Sequence, residues 1–132
     1  MSRDWVRDIE EMHEKFEFHK TVDQFDEEKF YQLLHFRFRF LDEELGEGQG
    51  ALEDGDIEEV VDALIDLCVV AIGTLDLMGV DSYKAWDAVH KANMSKERGI
   101  KPGRPNPLGL PDLMKPEGWV GPSHEGNHGK FT

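Results

Sequence analysis

The chain has 132 residues, a formal net charge of −13 and one cysteine. That length suits one domain with a core of its own, needing neither disulfide nor structural metal. The charge argues against a grip on nucleic acid, whose affinity comes from Lys and Arg displacing counterions. It does not exclude a free nucleotide, because divalent cations can bridge carboxylates to phosphates.

Residues 1–17 lack the apolar run of a signal peptide. Val6, Ile9, Met12 and Phe16 recur at helical spacing, which predicts a short amphipathic first helix ending near Glu17. Asp26 then reads as the N-cap of a second helix whose buried stripe is Phe30, Leu33, Leu34, Phe38, Leu41 and Leu45, closing near Gly46. Phe36, Phe38 and Phe40 alternate with Arg37 and Arg39; on a helix they cover a wide arc, one part for the core and another for a subunit interface. Gly48, Gly50 and Gly55 predict a loop.

Asp56, followed by Glu59 in capping-box spacing, opens a third helix that Gly79 closes. Residues 60–80 form the longest apolar stretch, but Asp62, Asp66 and Asp76 interrupt it, too many charges for a membrane span. Cys68 within it reads as a small buried hydrophobe in a reducing, cytoplasmic setting. Asp81 caps a fourth helix, which Gly99 and Pro102 stop. All six prolines lie at or beyond Pro102. The predicted organisation is therefore an all-α, four-helix-type bundle over residues 1–99 and an extended Pro/Gly-rich tail over 100–132. The tail carries Leu108, Leu110, Leu113, Met114, Trp119 and Val120, so it is expected to pack on the domain or a neighbouring subunit, with Trp119 as an anchor.

Glu44 and Glu47 stand at i and i+3 on one helix face, and Glu59 and Asp62 repeat that spacing on the next helix. If the two helices pair antiparallel, four carboxylates meet. Such crowding is sensible mainly around divalent cations, and an all-oxygen set selects Mg²⁺ or Mn²⁺. Taken alone, Glu59 is equally a capping residue, and the run from Asp42 to Glu47 equally a solvated face. Asp66 divides evenly between the site and ordinary structure. His13, His19 and His35 lie among polar residues, where satisfied or exposed histidines are common.

Glu43-Glu44-x-x-Glu47 followed by Glu59-x-x-Asp62 resembles the signature of the MazG-like pyrophosphatases. Ala92-Asn93-Met94-Ser95-Lys96 is similar to a segment of phosphoribosyl-ATP pyrophosphohydrolase-like members, and His13-Glu14-Lys15-Phe16 to one preceding the first acidic helix in phage-type members. The resemblance covers residues 6–96, with the stretch from Lys115 to Trp119 adding weaker support. It implies a helical homo-oligomer, dimer or tetramer, in the cytoplasm of a bacterium or phage-infected host. It also implies a Mg²⁺- or Mn²⁺-dependent enzyme that cleaves a nucleoside triphosphate to monophosphate and pyrophosphate. The metal ligands would be Glu44, Glu47, Glu59 and Asp62; Glu43 and Glu44 would serve catalysis; His13, Lys15, Asn93 and Lys96 would contact substrate. The implied substrate is a deoxynucleoside triphosphate, with a purine such as dGTP favoured, and phosphoribosyl-ATP as the alternative.

Two readings from other classes stand beside it. Glu10-x-x-His13 and Asp87-x-x-His90 echo the ligand pairs of di-iron bundles, although the second pair has Asp where Glu is usual. An acidic helical adaptor without metal dependence is the non-enzymatic alternative.

Overall fold

The computed structural model describes residues 3–103 and 108–131. It is an all-α bundle with a small two-stranded sheet appended. Among the described residues five helices run α1 (Trp5–Lys15), α2 (Phe18–Val22), α3 (Glu27–Glu53), α4 (Ile57–Met78) and α5 (Ser82–Met94); β1 (Glu97–Gly99) and β2 (Asp112–Met114) follow. The caps are those expected from the sequence. Asp26, Asp56 and Asp81 accept the backbone N–H of Lys29, Glu59 and Lys84, each satisfying a donor left over in a first helical turn. Gly79 ends α4 with φ of 78°, a conformation that costs glycine nothing.

The helix limits depart from the expectation in two places. The second predicted helix does not stop at Gly46: α3 continues to Glu53, through Gly48 and Gly50. Three glycines weaken a helix, but extensive packing of α3 along α4 outweighs local propensity. Gly48 marks a close approach, since a Cβ there would stand 3.2 Å from the Cβ of Ala63. The segment after Phe16 also folds, as the extra helix α2, after Glu17 turns the chain with a positive φ of 59°.

The buried faces are rotated from the predicted stripes. On α3, Phe36 and Phe38 are exposed (55% and 66%), as is Leu45, while Arg37 is buried. The reason lies in hydrogen bonding. Arg37 donates through Nε to Thr74 Oγ1 and through Nη2 to the Val70 carbonyl, both at 3.0 Å, so its fork is satisfied inside the α3–α4 seam. On α1, Met12 and Phe16 are exposed and His13 takes the buried position beside Ile9. Cys68 is half-buried, in the wall of a shallow apolar groove with Trp5, Ile9, Ile65, Val69 and Ile72.

A small core cluster of Val22, Phe30 and Leu77 closes one end of the bundle. The C-terminal segment completes it. Phe131 packs edge-on against Phe30 and Tyr31, and Lys130 donates its backbone N–H to the Met78 carbonyl and pairs with Asp23 at 2.7 Å. Buried Asn127 bonds both backbone groups of Asp81. Nearer the start of the tail, β1 and β2 pair antiparallel, Glu97 opposite Met114 and Gly99 opposite Asp112. Among the described residues, no helix is long and apolar enough to cross a membrane.

Candidate active site

The acids lie on two helices that run side by side. Glu43, Glu44 and Glu47 occupy the second half of α3; Glu59, Asp62 and Asp66 occupy the first half of α4. The two are joined by a tight turn around Gly55, so the later part of α3 faces the early part of α4.

Within that seam the carboxylates act on one another. The Glu44 carboxyl is pushed above its ordinary range, first by burial and then by the charges of Glu47, Asp66 and Asp62. Glu59 is raised first by Asp62, then by partial burial, Asp56, Glu47 and Asp66. Asp66 is raised by burial and by Asp62 and Glu47. All these shifts favour the protonated form, the effect of like charges close together, with burial leading for Glu44 and Asp66. Glu44 carries the clearest sign of an unmet demand: its Oε2 is buried and accepts no hydrogen bond. A carboxylate oxygen held away from water without a donor is costly, and a cation would meet that cost.

Glu44, Glu47, Glu59 and Asp62 are therefore brought into one electrostatic neighbourhood. Asp66, undecided on sequence grounds, joins them. Glu43 is exposed, on the adjacent but different face of the helix that neighbouring positions occupy.

The residues named as substrate contacts lie elsewhere in the fold. Asn93 is exposed near the end of α5, and half-buried Lys96 follows the helix with its ammonium over the Trp119 ring. Lys15 is exposed, above its neighbour Phe16. His13 is almost completely buried, at 1% exposure. Its Nδ1 lies 2.6 Å from Asp76 Oδ2, and the same oxygen lies 2.6 Å from His19 Nε2. This His13–Asp76–His19 group was not visible as a unit in the sequence. Its signal was Asp76, an acid near the end of an apolar helix, which needs a partner.

The donors of the α3–α4 seam are all carboxylate oxygens, the chemistry that hard divalent cations prefer. The family model for phosphoribosyl-ATP pyrophosphohydrolase matches residues 9–93, which take in both acid-bearing helices and end on Asn93. No curated protein matches the chain.

Proposed function

Since the chain belongs to the phosphoribosyl-ATP pyrophosphohydrolase family, nucleotide pyrophosphohydrolases of the MazG-like all-α superfamily, we propose that it hydrolyses a nucleoside triphosphate to monophosphate and pyrophosphate with Mg²⁺ or Mn²⁺. The observation that carries this reading is Glu44: a buried, unpartnered carboxylate oxygen amid Glu47, Asp62 and Asp66.

Glu44, Glu47, Glu59 and Asp62 would hold the cation, with Asp66 as a further acid of the same cluster. Bound there, it would supply Lewis-acid polarisation of phosphoryl oxygens and offset charge on substrate and protein alike. The chain's own residues do the rest. Glu43, exposed at the rim, orients the attacking water and accepts its proton at a carboxylate oxygen as the phosphoanhydride bond breaks and pyrophosphate departs. Asn93 hydrogen-bonds the nucleotide, and Lys96 and Lys15 act as point charges toward phosphate. His13, fixed by Asp76, supports the substrate side by holding α1 in place.

A second copy of the chain completes the working form. Ile57, Val61, Leu64 and Ile65 make an exposed apolar stripe along α4, and Phe38, Leu45 and Leu52 make another along α3. Contiguous apolar faces of this kind mark association surfaces.

The substrate in this reading is a deoxynucleoside triphosphate, a purine such as dGTP first. Phosphoribosyl-ATP, the compound in the matched family's name, is the alternative. A panel of ribo- and deoxynucleoside triphosphates and phosphoribosyl-ATP, assayed with Mg²⁺ or Mn²⁺ for pyrophosphate against orthophosphate, tests it. Pyrophosphate from one or two substrates, lost in Glu44→Gln, is expected. No release from any of them would leave a metal-independent acidic adaptor as the better description.

A further inference from the structure

We propose that His13, His19 and Asp76 form a second metal site, for a zinc-class divalent cation, separate from the carboxylate cluster of α3 and α4. Three helices contribute one side chain each, and the three ligand atoms lie within 4.8 Å of one another. Two imidazole nitrogens and one carboxylate oxygen are the donor set that suits Zn²⁺ or Co²⁺. The carboxylates of the other site suit Mg²⁺ or Mn²⁺.

The surroundings are built to hold the ligands. Phe18 stacks on His13 at 4.8 Å and 15°, fixing the plane of its ring. Gly73 makes room for that ring: a Cβ there would stand 3.3 Å from His13 Cε1 and closer still to the Arg37 guanidinium. Packing that fixes the orientation of a ligand is a usual companion of metal sites. Asp76 itself is 12% exposed, whereas the side chain of His19 is 37% exposed and leaves a way in from solvent.

The backbone points the same way. His13 lies in the last turn of α1, His19 in the last turn of α2, and Asp76 in the last turn of α4, which has no basic residue. The ends of α1 and α4 both present carbonyls with partial negative charge, and an aspartate at such an end is unfavourable without a cation beside it.

The fit requires little movement. A tetrahedral ion with ligands about 2.0–2.2 Å away sets its ligand atoms ~3.3 Å apart. The two 2.6 Å contacts must therefore open by less than about 1 Å, one by rotation of the half-exposed His19 ring and the other by rotation of the Asp76 carboxylate, while the widest pair of ligand atoms, within 4.8 Å, draws in on the ion. On binding, each coordinating nitrogen gives up its contact with Asp76 and the ring carries its proton on the other nitrogen.

The test uses the full chain after chelator treatment, without nucleotide, and Co²⁺ alone as probe. One equivalent giving the intense visible absorption of a low-coordinate site is expected. That absorption should be kept in Glu44→Gln/Asp62→Asn and lost in His19→Ala, whose loss of a direct ligand should weaken binding at least as much as the ~10–100-fold that losing an outer partner costs. Absorption absent from the wild type, or unchanged in His19→Ala, overturns the proposal. A second measurement needs no variant: with Zn²⁺, the ¹⁵N resonances of His13 Nδ1 and His19 Nε2 should shift together. If neither moves, Asp76 is only a hydrogen-bonded tie between helices.

Discussion

The Lys96 ammonium stands 5.2 Å from the centre of the Trp119 ring, and the Lys115 ammonium stands equally far from it. The indole also donates from Nε1 to the Ala92 carbonyl at 3.1 Å and to Ser95 Oγ at 2.8 Å. The tail thus braces the end of α5, where Asn93 and Lys96 sit. Trp119→Phe keeps a ring and loses both donations, and should cost about 1 kcal/mol in urea unfolding. Trp119→Ala removes the cation–π contacts too, each worth ~0.5–1 kcal/mol at an exposed position. If Lys96 meets phosphate, Trp119→Ala should also raise KM with little change in kcat.

Arg37 is a buried cation bonded to neutral groups, and burial lowers its pKa. Truncation and shape-matched replacement should therefore differ. Arg37→Ala leaves a void and an unfilled seam, and is expected to destabilise by roughly 2–5 kcal/mol, in the range of other large-to-small core changes. Arg37→Met fills the space, while Thr74 Oγ1 keeps its own bond to the Val70 carbonyl at 2.7 Å. Its cost in denaturant unfolding should be well below that of Arg37→Ala.

The raised carboxyls of Glu44, Glu59 and Asp66 fix the sign of a pH effect. A carboxyl raised in the folded state binds more protons folded than unfolded, so its contribution to stability falls as pH climbs through the ordinary value and up to the raised one. For Glu44 the ordinary value is 4.5. Metal-free protein should therefore lose Tm from these groups on going from mildly acidic to neutral pH. Glu44→Gln should raise the metal-free Tm at pH 7 and flatten that dependence. Millimolar Mg²⁺ or Mn²⁺ should stabilise the wild type by mass action and stabilise Glu44→Gln less, as thermal scans with and without the ion would reveal.

Asn127 accepts the Asp81 N–H at 2.8 Å and returns its own N–H to the Asp81 carbonyl at 2.9 Å. This holds the residue that caps α5. Asn127→Ala strands the Asp81 N–H, while the Asp81 carbonyl keeps the Ala85 N–H, and the expected loss is about 1–3 kcal/mol by chemical denaturation. Asn127→Asp keeps the acceptor but loses the donor and adds a charge beside Asp81, so it should not rescue.

The helix caps and the stop of α4 at Gly79 were legible because each depends on nearby residues. Asp26, Asp56, Asp81 and Gly79 act within one turn of themselves. What was not legible depends on distant partners. That Arg37 and not Phe38 faces inward is decided by Thr74 and the Val70 carbonyl, and that His13 is buried is decided by Asp76, 63 residues away. The continuation of α3 past Gly46 is a tertiary effect overriding propensity. Asp66 belonged to the acidic cluster by its helical spacing from Asp62, yet only burial and the charge of Glu47 distinguish it from a solvated acid.

The contact of Phe131 with Phe30 and Tyr31 has a consequence for how the protein is made. With Lys130 reaching Asp23 across 107 positions, the Val22–Phe30–Leu77 cluster is sealed by residues the ribosome adds after α5. A nascent chain can form α1 through α5 and still expose this patch. Helices formed by local contacts come early and closure of so long a loop comes late. In the interval the unfinished end of the bundle is the surface a chaperone would meet, or a second nascent chain would stick to.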